Sequence, residues 1–153
     1  AQLIETKKTL LAYDDTTFYT KLVAGEASMV EAWDGWCNYG IAENAAIKYV
    51  VPKEGSDMWV DTMVVTSASE NKEAAEAFIN YILKPEVHRW VAENILYKVP
   101  NKAAMDALDP ALIKQYPNLG ITPAELLKYE QLRDLGDGQK LWSKTVTEIT
   151  SAN

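Results

Sequence analysis

The chain has 153 residues, of which 48% are hydrophobic and 24% charged. That balance excludes wholesale disorder, and the length allows one core without disulfide staples. Twenty-two acidic residues against fifteen basic ones leave a formal charge of -7, which argues against nucleic acid and anionic lipid as partners. The one cysteine, Cys37, excludes an intramolecular disulfide framework and a Cys-based zinc site. The one histidine, His88, excludes a multi-histidine metal cluster, so neither metal nor cofactor is expected. No apolar run approaches the roughly 20 residues that span a bilayer.

The opening stretch Ala1-Gln2-Leu3-Ile4-Glu5-Thr6-Lys7-Lys8 reads as the end of a helix, with no N-cap and no initiating Met. The natural start is therefore expected upstream. Leu10–Tyr13 is a strand candidate, followed by a helix from Thr16 to Ala24 with Phe18, Leu22 and Val23 on one face. Ser28–Trp33 reads as a second strand, Asp34-Gly35 as the turn into a helix reaching Ala46, and Ile47–Val51 as a third strand. Such alternation predicts parallel βα units, hence an α/β fold. After the breakers Pro52–Asp57, the β-branched run Met58–Val65 reads as a fourth strand.

From Ser69 on the chain reads as helix. Asn71 caps Lys72–Leu83, with Ala75, Phe78, Ile79 and Ile82 on one face. Pro85 opens the next helix, where Val87, Trp90, Val91 and Ile95 keep helical spacing. Helices over 102–108, 123–135 and 139–151 complete the pattern, with Trp142 read as core. His88 is expected to be exposed or capping.

Two local motifs could carry chemistry. Trp59 and Asp61 flank Val60, and alternation in a strand would put them on one face, about 7 Å apart. An indole wall beside a carboxylate suits an organic cation. The same pattern also fits a core tryptophan with a turn-capping aspartate. Trp33-Asp34-Gly35 falls where a strand meets a helix, the crevice in which open α/β sheets bind ligands. There Trp33 could be a stacking wall or a core residue. Cys37 reads as a small buried hydrophobe, and Asp14-Asp15 as a strand end and cap. No triad, P-loop or GxGxxG turn is present, and no enzymatic activity is expected. A carboxylate-dependent hydrolase is the alternative from another class.

Several linked motifs resemble one family. They are Gly25-Glu26 ahead of Trp33-Asp34-Gly35, Pro52-Lys53-Glu54-Gly55, Trp59-Val60-Asp61, the run from Phe78 to Glu86, and the run from Tyr97 to Ala104. In order and spacing the chain resembles the C-terminal half of bacterial spermidine/putrescine-binding proteins, the periplasmic receptors of ABC importers. The resemblance implies a two-lobed type II binding-protein fold, with open, mostly parallel sheets flanked by helices and the N-terminal part of the first lobe missing. It assigns residues 1–62 to the second lobe, 63–108 to the hinge crossing and to helices packing on the first lobe, and 109–153 to a return to the second lobe. It implies ligand contacts from Trp33, Trp59, Asp61 and Gln131, although this chain reads Lys128-Tyr129-Glu130-Gln131 where the family often has Gly-Glu-Trp-Gln. The implied partners are a polyamine, an ABC transporter permease, and the missing first-lobe segment or another copy of the chain. The implied location is the periplasm, membrane-anchored or free. Other expectations are a different small solute for the same superfamily, or a self-associating half-receptor that binds nothing itself.

Overall fold

The computed structural model describes residues 2–152. Helix α1 spans Gln2–Lys7 and carries the helix expected at the start, Ala1 of that expectation lying outside the described residues. Helix α2, Phe18–Val23, follows a turn built by Asp14. The Asp14 carboxylate accepts from the backbone N–H groups of Thr16 (3.0 Å) and Thr17 (2.8 Å) and pairs with Lys21. These bonds hold its pKa far below the usual carboxylate range, the Lys21 contact contributing most. Helix α3, Asp34–Glu43, ends three residues short of the expected Ala46, at an extended Asn44.

Strand β1, Asp57–Met58, precedes α4, Lys72–Ile82, and α5, Pro85–Ile95. Pro85 opens α5, where its missing N–H costs nothing. The Asn101 side chain caps α6, Lys102–Asp106, and Asp109 caps α7, Pro110–Gln115, a helix with no counterpart in the sequence reading. A 3-10 turn, Pro117–Gly120, leads to α8, Pro123–Leu126, which opens on a capping box between Thr122 and Glu125. Strand β2, Glu130–Gln131, and α9, Gly138–Ser151, complete the chain.

The helices stand close to where helical spacing predicts them, while the strands do not. Leu10–Tyr13, Ser28–Trp33 and Ile47–Val51 run without ladder pairing, and the expected strand Met58–Val65 contracts to the pair Asp57–Met58. Among the described residues the one sheet is parallel and two-stranded, with Asp57 opposite Glu130 and Met58 opposite Gln131. Apolar β-branched runs favour extended backbone, but a strand also needs a neighbour for its N–H and C=O groups. The helix expected over 123–135 stops at Leu126 for the same reason. Its next turn unwinds to Glu130 and Gln131, and the Leu132 N–H donates to the Met58 carbonyl (3.3 Å). The result is helix-rich with a small parallel sheet, consistent with the α/β class.

Two small apolar clusters form the core. Ala92, Val99, Ala104 and Leu108 make one, with Val91, Met105, Leu112 and Ile113 against it. Ile41, Tyr116 and Leu119 make the other, with Ile47, Tyr49, Leu96 and Leu112 around it. His88 is buried rather than exposed, because it lies four residues before the fully buried Ala92, on the same face of α5. Trp142 is 59% exposed rather than core, since α9 buries no residue. Helix α4 buries none either, and Phe78 and Tyr81 stand in solvent. The accessible surface is 11578 Å², against about 7,750 Å² for a compact monomer of this mass.

Candidate functional site

The site starts at the N-terminus of α3. Trp33 is its N-cap residue, extended at φ -63° and ψ 138°, and Asp34 is the first helical residue. Its Asp34 carboxylate pairs with Lys98, and the Lys98 ammonium also donates to the Asn118 carbonyl (3.1 Å). The Asn118 side-chain amide donates in turn to the Asp34 carbonyl (3.1 Å). Asp34 thus ties the head of α3 to Lys98 through its carboxylate, which lies where the helix dipole favours it, and to Asn118 through its backbone carbonyl.

Three aromatic rings are in contact beside this end of α3. Trp33 meets Trp59 edge-on, with ring centroids 5.2 Å apart and planes at 86°. Trp59 meets Tyr97 at 5.8 Å and 67°. Edge-to-face packing directs the positive rim of one ring at the negative face of the next, and leaves other faces open to a cation. Trp33 is 41% exposed and Trp59 half-buried, so the wall faces solvent while its base is packed.

Tyr97 packs over Gly35 in the first turn of α3. A Cβ built on Gly35 would lie 2.0 Å from a Tyr97 ring carbon, so that glycine is required by close approach. Burial pushes the Tyr97 phenol up to about 12, with the Asp34 and Asp61 charges adding to the effect and the Trp36 backbone N–H opposing it. Tyr49 is likewise pushed up to about 12, by burial first. Both rings therefore keep their protons, and with them a hydrogen-bond donor, across the physiological range.

Asp61 is exposed, two residues beyond Trp59 and past the end of β1, so the strand alternation invoked for the pair does not extend to it. Its charge nonetheless reaches Tyr97. Gln131 is exposed on β2 directly opposite Met58, and the sheet therefore sets it beside the segment that carries Trp59. Trp33 and Trp59, 26 residues apart in sequence, are thus in contact. Gln131 lies opposite the last residue of β1, and Asp61 lies three residues past it in sequence. Tyr97 is the member that sequence reading missed. Cys37 is buried and its thiol is pushed up by burial and by the Asp34 charge, the state of an inert packing residue.

Residues 12–120 match the family described as bacterial extracellular solute-binding protein. The chain belongs to this family. This solute-binding protein is 32% identical over 124 residues to the spermidine/putrescine-binding periplasmic protein of Escherichia coli, an overlap of 78% of this chain and 34% of that relative. It is 27% identical over 158 residues to spermidine/putrescine-binding periplasmic protein 1 of Haemophilus influenzae, covering 99% of this chain and 42% of the relative. A putrescine-binding periplasmic protein of Pseudomonas aeruginosa is 34% identical over 108 residues, 69% of this chain and 29% of its own length. The chain spans between 29% and 42% of the length of these relatives. These relatives are named as binding proteins of the periplasm, not as enzymes. Among the described residues no cluster of His, Cys, Asp and Glu could hold a metal ion, and no helix is long and apolar enough to cross a membrane.

Proposed function

We propose that the chain is the polyamine-contacting part of the substrate-binding component of an ABC importer, acting outside the cytoplasmic membrane and delivering its ligand to a permease. The observation that carries this reading is the edge-on pair of Trp33 and Trp59, continued by Tyr97. In this reading the indoles wall the methylene chain, Asp61 neutralises an ammonium group, and Gln131 adds a hydrogen bond. The names of the relatives support a polyamine as the solute. Residues 1–62 are assigned to a second lobe, 63–108 to a hinge crossing and first-lobe helices, and 109–153 to the second lobe again. Residues 61–67 are the hinge segment.

The strength of the isolated site follows from its parts. A cation over an open indole contributes about 0.5–2 kcal/mol, and partial burial of four methylenes about 1.5 kcal/mol more. The sum corresponds to a dissociation constant around or above 1 mM. Calorimetry of the chain with spermidine and putrescine tests this. Millimolar saturable binding, weakened a few-fold by Asp61→Asn, is the expected result. Micromolar binding by the monomer, or binding indifferent to Asp61→Asn, contradicts it.

A second reading concerns what covers the surplus surface. The 11578 Å² of accessible area exceeds that of a compact monomer by about 3,800 Å², and Phe78, Tyr81 and Trp90 project from α4 and α5. We assign this face to the first-lobe segment of a whole receptor or, for the chain alone, to another copy. Light scattering distinguishes the two, since a strictly monomeric chain at high concentration excludes self-association.

A further inference from the structure

The two apolar clusters meet along a seam of polar contacts that converge on one short segment. The Tyr39 hydroxyl donates to the Ile95 carbonyl (3.1 Å), and the Asn38 side chain donates to the Leu96 carbonyl (2.8 Å). Leu96 closes α5 in the left-handed conformation, at φ 55°, with its N–H donating to the Ala92 carbonyl (3.0 Å). Next comes Tyr97, and then Lys98 with its bonds to Asp34 and the Asn118 carbonyl. Tyr97 is therefore flanked on both sides by backbone or side chain anchored to α3 or to its N-terminal partner Asn118. The Asp34 and Lys98 side chains are 17% and 16% exposed, so water competes little for the pair.

We propose that Lys98 is a positioning residue: by gripping Asp34 it docks the segment after α5 on the head of α3 and holds Tyr97 against Gly35 and Trp59. It acts through the backbone that carries Tyr97 and through the helix end that carries Trp33. Its consequence for ligand affinity rests on the polyamine reading, while its consequence for ring geometry does not.

Four of the five tryptophans give a readout that separates positioning from general stability, the fifth, Trp36, lying two residues from Asp34 in the first turn of α3. Two of them, Trp33 and Trp59, form the wall, while Trp90 and Trp142 stand on α5 and α9 in solvent. In a two-dimensional NMR spectrum of the full chain, Lys98→Met is expected to move the Trp33 and Trp59 indole N–H signals and leave those of Trp90 and Trp142 in place. Lys98→Arg, which keeps the charge, is expected to restore most of the parent pattern. Spermidine affinity is expected to fall a few-fold in Lys98→Met, the part of the indole contact that a displaced wall loses. Unmoved wall signals, or collapse of all five together, overturn the proposal, the latter because it marks a purely structural role. If the unaltered chain does not bind spermidine at all, the polyamine reading fails while the indole spectra still decide the role of Lys98.

Discussion

Gly35 is the residue at which the geometry makes its sharpest demand. In Gly35→Ala the new Cβ would stand 2.0, 2.1 and 2.4 Å from three Tyr97 ring carbons, where ordinary contact begins near 3.4 Å. The ring would have to retreat by about 1.4 Å, and Trp59 lies against it with centroids 5.8 Å apart. Overpacking of this kind costs about 1–3 kcal/mol. In a domain of this size each kcal/mol lowers Tm by about 2–4 °C, so a loss of about 4–8 °C is expected for a cost near 2 kcal/mol. Near-UV circular dichroism should change with it, because the Trp59–Tyr97 contact is disturbed. Gly138→Ala is the control, since its Cβ would meet nothing closer than Leu135 Cβ at 3.9 Å, and its Tm should stay level or rise slightly. If Gly35→Ala melts within about 1 °C of the parent with an unaltered near-UV spectrum, the proposed packing of Tyr97 on α3 is wrong.

Burial lowers the pKa of His88 below its ordinary 6.5, so the folded state prefers the neutral ring and binds fewer protons than the unfolded state. The stability that His88 contributes is thus complete above pH 6.5 and is lost as pH falls through the window between 6.5 and the lowered value. The urea midpoint should decline between pH 7.5 and 5.5, and His88→Gln should flatten that slope; a constant midpoint in the parent contradicts the burial. Asp14 has the same sign lower down, since stability from its depressed pKa is lost only below the ordinary carboxylate value of 3.8. Trp59→Ala should weaken spermidine binding several-fold while Trp142→Ala leaves it alone, because Trp142 is 59% exposed on α9 and outside the aromatic contacts. Equal losses for the two variants in a calorimetric titration would count against the site.

The legible and illegible parts of the chain divide along a physical line. The α4 and α5 starts were readable because Asn71 and Pro85 act within one turn of themselves, and helical spacing is a local property. The strands were not, because pairing is decided by a partner distant in sequence: Met58 meets Gln131, and Val50 and Val51 meet no strand at all. The same non-local competition cut short the helix expected to reach Leu135. Trp33, Trp59 and Asp61 could be picked out as chemistry by their side chains, yet their grouping came from the family resemblance, and the ring contact between the indoles is a tertiary fact. Tyr97 opens one of the motif runs behind that resemblance, yet nothing local marks it as part of the wall. It is one of eight tyrosines, in a loop, and its significance lies in Gly35 and Trp59, each far away in the sequence. His88 went astray because the buried stripe of α5 runs through Ala92 and not through Trp90.

Trp33 and Trp59 are proposed to form one cation-accepting wall. A spermidine titration followed through the five indole N–H signals tests it most directly. The Trp33 and Trp59 signals should shift together along one millimolar binding curve, while those of Trp90 and Trp142 stay fixed. Movement of Trp90 or Trp142 in step with them, or a wall that stays silent while calorimetry reports binding, would contradict it.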